Sequence, residues 1–218
     1  MGKRKILKKH IFYILCLYLL IFIYNSAKMN LFSRPSPLMK NKIYLLPLGK
    51  VEEDVLAFLV QRLEKTFDFP VEMLERRKIP EEAFNLSRNQ YYSSLILKKM
   101  KSTLKLKKEE KVLAVVDVDL YVPELNFVFG EAELGGQLAV ISLSRLRQSF
   151  YGLKENRELF LERAIKEAVH ELGHTFGLGH CPDPKCVMHF SNSLLDTDKK
   201  SASFCHHCQQ KLKERIKK

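Results

Sequence analysis

The sequence predicts one α/β (α+β) domain built on a twisted mixed sheet, and three observations carry that expectation. Short apolar, β-branched runs alternate with longer segments whose apolar residues recur at helical spacing. Two such runs flank Gly135-Gly136, a dipeptide suited to a hairpin, so antiparallel pairing joins strands otherwise connected through helices. Residues 42–208 carry the pattern without a repeat or low-complexity segment, which is the size of one ordinary domain.

Taken in order, Ile43–Leu48 is a short apolar run closed by Pro47 and Gly49 and reads as a buried strand. Val51–Phe67 places Val55, Phe58, Leu59 and Leu63 at helical spacing, and Val71–Leu74 reads as a second strand. Asn89–Thr103 predicts a helix, with Asn85 or Ser87 as its cap. Val112–Val118 is nearly all apolar, which makes it the central strand, covered on both faces. Phe127–Leu134 and Gln137–Leu143 are the arms of the hairpin. Leu161, Ile165, Ala168, Leu172 and Phe176 fall in a stripe about 80° wide at about 100° per residue, so a helix spans them. His170 lies on the opposite side. The stripe is therefore expected to pack under the sheet while the histidine face looks into solvent-accessible space. Phe150 and Tyr151, just before this helix, read as core or staple residues.

That helix runs into His170-Glu171-Leu172-Gly173-His174-Thr175-Phe176-Gly177-Leu178-Gly179-His180. Residues four apart share a helix face, so His170 and His174 can aim a ring nitrogen at one ion. Gly177 allows the helix to stop in the left-handed region and the chain to return with His180 as a third nitrogen. Three neutral imidazoles with an open fourth position describe a catalytic zinc site, whereas a closed set of four would be structural. They leave the ion its full double charge, the condition for acidifying a water, and Glu171 is placed to take that water's proton. A helix that merely happens to carry histidines is the bland reading. The glycine and third histidine make it much the weaker one.

Met188 follows His180 closely, as a methionine floor beneath a metal site does. Cys181, Cys186, Cys205 and Cys208 form C-x4-C and C-x2-C pairs separated by 18 residues. Two readings compete. Two disulfides would need an oxidising compartment and a tight C-x2-C bridge. A tetrahedral four-thiolate zinc suits paired short spacings better, and we favour it as a zinc-finger-like segment at the C-terminal end. His206 and His207 read as bystanders, because four thiolates already complete the shell.

With these residues in view, the chain resembles the archaemetzincins, a family of metzincin-clan zinc metallopeptidases. The likeness covers His170 to Cys208, including Cys181–Met188 and Phe190–Leu195, and reaches back to Asp117–Ala132 and to Lys42–Gly49. It implies a metzincin-like single domain with two zinc ions per chain, one catalytic and one structural, acting on a peptide or protein substrate. On that likeness His170, His174 and His180 would hold the catalytic ion, Glu171 would be the base, and the four cysteines would hold the second. A substrate strand would align beside the Phe127–Glu131 segment through backbone hydrogen bonds. A zinc-stabilised binding protein with a vestigial site is the alternative, and the presence of Glu171 speaks against it. A monomer is expected.

The first forty residues are an addition to that likeness. Lys3, Arg4, Lys5, Lys8 and Lys9 precede an uncharged apolar run from Ile11 to Tyr24. This pattern reads as a signal peptide or membrane anchor over residues 1–28, with association through residues 11–27 and a linker over 29–41. The expected placement is therefore membrane-anchored or secreted, with the catalytic domain outside the cytoplasm. Translation from Met29 or Met39 would instead leave the enzyme cytoplasmic. The formal charge of +12 invites a nucleic-acid reading. Yet residues 1–40 hold eight basic residues and no acid, and the basic tail 209–218 holds five with one acid. Residues 42–208, read as the catalytic domain, are balanced, so no nucleic-acid partner is expected.

Overall fold

The computed structural model describes residues 41–217. The leader expected over 1–28, and the linker apart from Asn41, lie outside the described residues. The elements are β1 (Lys42–Pro47), α1 (Glu53–Phe67), β2 (Val71–Met73), β3 (Phe84–Asn85), β4 (Gln90–Tyr92), α2 (Ser93–Thr103), β5 (Glu110–Val116), β6 (Leu120–Tyr121), β7 (Gly130–Ala132), β8 (Leu138–Ser142), α3 (Arg157–Thr175), α4 (Leu194–Lys199) and α5 (His206–Ile216).

The main sheet has the order β2-β1-β5-β8-β7. Its first four strands are parallel, and β7 returns antiparallel to β8. It is the expected mixed sheet, with β5 at its centre. Strand alternation sorts the core into two layers. Leu113, Val115, Ala139 and Ile141 pack with α1 and α3 on one face, while Val112, Ala114, Val116, Leu138 and Val140 pack with α2 on the other. Each fully buried aliphatic side chain contributes about 1.5–3 kcal/mol, so the doubly covered strands anchor the fold.

Three local expectations are corrected. The second helix starts at Ser93, four residues later than predicted, and Asn85 does not cap it. Asn85 instead closes a turn, accepting the Arg88 amide at 3.2 Å and the Ser87 hydroxyl at 2.7 Å. Asn89 sits at φ 52°, which breaks a helix, and Gln90–Tyr92 becomes the middle strand of a second sheet, β3-β4-β6. Phe150 and Tyr151 are both 44% exposed, so they are not core; Arg145 stacks over Phe150. Lastly, α5 runs across the boundary placed at residue 208 and buries Leu212, so residues 209–216 pack with the domain.

Candidate active site and cysteine cluster

Helix α3 positions the site. Asn156 opens it, its side chain accepting the Leu159 amide at 3.0 Å. At the other end Gly177 takes φ 81°, and the amides of Gly177 and Leu178 return to the carbonyls of His174 and Gly173 at 2.8 and 3.1 Å. The expected glycine stop is therefore present. It also turns the Leu178 carbonyl onto His174, whose Nδ1–H donates to it at 2.7 Å. His170 Nδ1–H donates to the Val187 carbonyl at 2.8 Å. With both protons held on Nδ1, the two Nε2 lone pairs face each other at 3.1 Å.

The ligand atoms of His170, His174 and His180 all lie within 4.8 Å of one another. Burial, assisted by the nearby Lys200 charge, holds the His170 pKa well below the ordinary histidine value. Burial likewise lowers His174 and His180. Neutral rings with converging lone pairs repel unless a cation lies between them. The edge of a tetrahedral zinc site with about 2.0–2.1 Å bonds is about 3.3 Å, so these side chains fit that ion. Met188 is fully buried against α3, and a Cβ at Gly173 would collide with its sulfur.

Glu171 is only 5% exposed. Burial, and after it the carboxylates of Glu167 and Glu131, hold its pKa well above the usual carboxylate range, with Lys200 opposing. Its side chain borders two cavities, one of about 190 Å³ reaching to Glu167 and Ser191, the other of about 530 Å³ running past Glu131, His174 and His180. Strand β7 approaches it closely at Gly130, where a Cβ would stand 2.6 Å from Glu171 Cγ.

The expectation that the histidine face looks into a cleft open to solvent holds at its outer end, where His174 and His180 border the larger cavity. At its inner end His170 is 4% exposed, and Val187, Thr197, Asp198 and Lys200 lie over this side of α3. That cover is held by buried charge. Arg163 makes two 2.7 Å hydrogen bonds to Asp198, and Lys200 lies 3.0 Å from Glu167. Only half-buried His174 and exposed His180 open outward. Sequence reasoning missed Glu167, Arg163, Lys200 and Gly130. The signal for the first was available: Glu167 is one turn before Glu171 and shares its face.

The four cysteines also come together, their sulfurs within 4.8 Å of one another. Cys181 and Cys186 sit on the loop after His180, closed by the Cys181 amide on the Met188 carbonyl at 2.9 Å. Cys205 caps α5, and Cys208 lies in its first turn. All four are free, and the Cys181 and Cys205 sulfurs are 3.8 Å apart. A disulfide needs about 2.0 Å, whereas a tetrahedral zinc with about 2.3 Å Zn–S bonds has sulfurs about 3.8 Å apart. The Cys205 amide donates to Cys186 Sγ at 3.3 Å. Burial pushes the Cys186 and Cys208 thiols up, while the Cys208 amide draws Cys205 down. The donor set suits a cation better than four thiols. His206 and His207 stand outside the cluster, on the exposed start of α5.

Comparison with known proteins gives one consistent answer. The model of peptidase family M54 matches residues 49–214. The archaemetzincin of Methanocaldococcus jannaschii is 46% identical over 174 residues, 80% of this chain and 94% of that protein. The crystal structure of archaemetzincin from Methanopyrus kandleri superposes with a TM-score of 0.74 at 38% identity, covering 85% of this chain and all of that one. A zinc-dependent peptidase from Methanocorpusculum labreanum gives 0.71 at 32% identity, covering 78% and 99%.

These matches take up nearly the whole of each relative, leaving them little room for a leader like the one expected here. Among the described residues, no helix is long and apolar enough to cross a membrane. The expected membrane-anchored or secreted placement is overturned by the relatives. What the fold, the two clusters and the relatives agree on is that the chain belongs to peptidase family M54 and is a zinc metallopeptidase of the archaemetzincin kind.

Proposed function

We propose that residues 42–208, completed by the rest of α5, form the catalytic domain, in which His170, His174 and His180 hold the catalytic zinc and Glu171 is the general base. In the same reading Cys181, Cys186, Cys205 and Cys208 hold a second, structural zinc, and peptide bonds are the substrate. The observation that carries it is the pair of Nε2 lone pairs facing each other at 3.1 Å, with both Nδ1 protons committed to carbonyls. When bound there, zinc supplies Lewis-acid polarisation of the scissile carbonyl and acidifies water.

The chain's own residues do the rest. Glu171, buried and with its pKa raised, accepts a proton from the attacking water at a carboxylate oxygen and passes it to the departing amine. Val187 and Leu178 keep the histidine rings in one tautomer. The substrate backbone lies alongside Phe127–Glu131, at the end of the sheet where β7 is the outer strand. Every one of these residues comes from one chain, so a monomer suffices.

Two variants of the full chain test the reading together. Glu171→Gln keeps the metal but cannot take the proton, so hydrolysis of a peptide pool falls about 10²–10⁴-fold while elemental analysis still finds two zinc ions. His174→Ala loses one ion per chain. Undiminished cleavage by Glu171→Gln would assign the base elsewhere. Absence of cleavage by the zinc-loaded parent would favour a zinc-stabilised binding protein.

A further inference from the structure

Leu125, Val128 and Gly130 border both cavities beside Glu171, so the stretch that carries them is one wall of the cleft. It belongs to neither sheet along its whole length. Leu125 and Asn126 are exposed and lie outside any strand, Val128 bridges Leu120 of β6, and from Gly130 the chain enters the main sheet as β7. Backbone in an exposed segment is ordinarily satisfied by water and mobile. Here it is held by side chains from another part of the chain.

Arg88 Nη2 donates to the carbonyls of Leu125 and Asn126, each at 3.0 Å, and Gln90 Nε2 donates to that of Asn126 at 2.9 Å. Gln90 is only 5% exposed and its amide is fully used. Nε2 also donates to Asp119 Oδ2 at 3.0 Å, and Oε1 accepts from Arg88 Nε at 2.8 Å. Asp119 is fixed in turn by Arg145 at 2.6 and 2.7 Å, and that guanidinium lies over the Phe127 ring at 4.3 Å. Just beyond Gln90, at the start of α2, the hydroxyls of Ser93 and Ser94 donate one to each carboxylate oxygen of Glu131. Residues 88–94 therefore grip both ends of the wall.

We propose that Arg88, Gln90, Ser93 and Ser94 are positioning residues for the reaction: they set how far the Leu125–Glu131 stretch stands from Glu171 and the histidines, and so the gap in which a substrate backbone is held. The second sheet, which the sequence did not predict, is their mount, because Gln90 belongs to β4 and β4 pairs with β6 beside the wall. Stability alone does not require this arrangement. Water satisfies an exposed carbonyl nearly as well as a side chain does, so the net gain from each such bond is small. Fixing the wall in one place is what the bonds add. This role presupposes the peptidase reading, in which the substrate lies along the stretch.

Arg88→Ala and Gln90→Leu test it on the zinc-loaded full chain. Each is assayed with an extended peptide and with a minimal substrate that keeps only the residues joined by the scissile bond. For the extended peptide KM should rise about 3–10-fold with kcat within about twofold of the parent's. The minimal substrate, too short to lie along the wall, should change by less than about twofold in kcat/KM. Arg88→Lys keeps a donor for the carbonyls and should lie nearer the parent than Arg88→Ala. Arg88 is only half-buried, so its variants read the role even if Gln90→Leu does not fold. An unmoved KM for the extended peptide, or an equal loss on both substrates, would overturn the positioning role and leave Glu171 as base. If the parent cuts nothing, calorimetric binding of the extended peptide to the parent and to Arg88→Ala decides. Weaker binding by the variant would support the positioning role while the peptidase reading fails, and equal or absent binding would overturn both.

Discussion

The histidine and cysteine clusters are joined by a single peptide bond, His180 to Cys181, and they are built on opposite plans. The histidines grade from His170 at 4% exposure, through half-buried His174, to exposed His180, and they border open cavities. Three of the cysteines are buried, the fourth is half-buried, and a loop and the first turn of α5 close around them. An incomplete nitrogen set that faces a cleft suits chemistry; a complete thiolate set that faces inward suits stability. The difference also shows dependence in one direction. The Val187 amide is held by the Ser203 carbonyl at 2.9 Å, and the Val187 carbonyl in turn orients His170. The closed cluster therefore braces the open one.

The strongest way to break this contrast is to open the closed cluster. Replacing Cys205 and Cys208 with serine should remove one zinc per chain, lower the melting temperature and weaken retention of the remaining zinc at the histidines. Structural sites of this type bind with about 10–16 kcal/mol in isolated zinc-finger peptides, so this is the largest effect expected. Elemental analysis and thermal unfolding measure it; two zinc ions and an unmoved melting temperature would remove the bracing role.

Next in size is the buried pair that clamps the cover over the histidine face. Lys200→Met leaves Glu167 buried without its partner, a change that typically costs about 3–5 kcal/mol. Adding Glu167→Gln to it should recover a large part of that loss. Urea unfolding of both variants checks the pair, and a single-variant loss under about 1 kcal/mol would mean that Lys200 does not hold the cover.

The finest test touches the open site alone. Gly130→Ala sets a methyl 2.6 Å from Glu171 Cγ and displaces the carboxylate. A displacement of about 1 Å at a reacting group can cost about 10²-fold in rate, so kcat should drop by up to that factor while zinc content and melting temperature stay close to the parent's. A parent-like kcat would show that Glu171 tolerates movement.

How much of this was legible beforehand depended on the range of the interaction. Periodicity located β1, α1, β5, β8 and α3, because each has enough residues for alternation or helical spacing to register, and the Gly135-Gly136 turn placed the short β7 beside β8. The β3-β4-β6 sheet was not legible. Its strands have two or three residues and exist because Tyr91 and Tyr92 pair with Leu120 and Tyr121, nearly thirty positions away. The cover over the inner end of the histidine face was not legible for a similar reason. A helix shows its own polar and apolar sides, but which later segment lies over them depends on Arg163 meeting Asp198 and Glu167 meeting Lys200.

The sequence by itself determined the chemistry of this protein. His170, Glu171, His174, Gly177, His180 and the four cysteines are local spacings, and helix pitch and glycine's freedom at positive φ turn those spacings into convergent donor atoms. Only the tertiary structure decided how that chemistry is housed. Gly130 beside Glu171, the Val187 carbonyl on His170 and the Glu167–Lys200 pair all join residues from separate elements. Burial and charge act through space, and the distances over which they act exist only once the chain has folded.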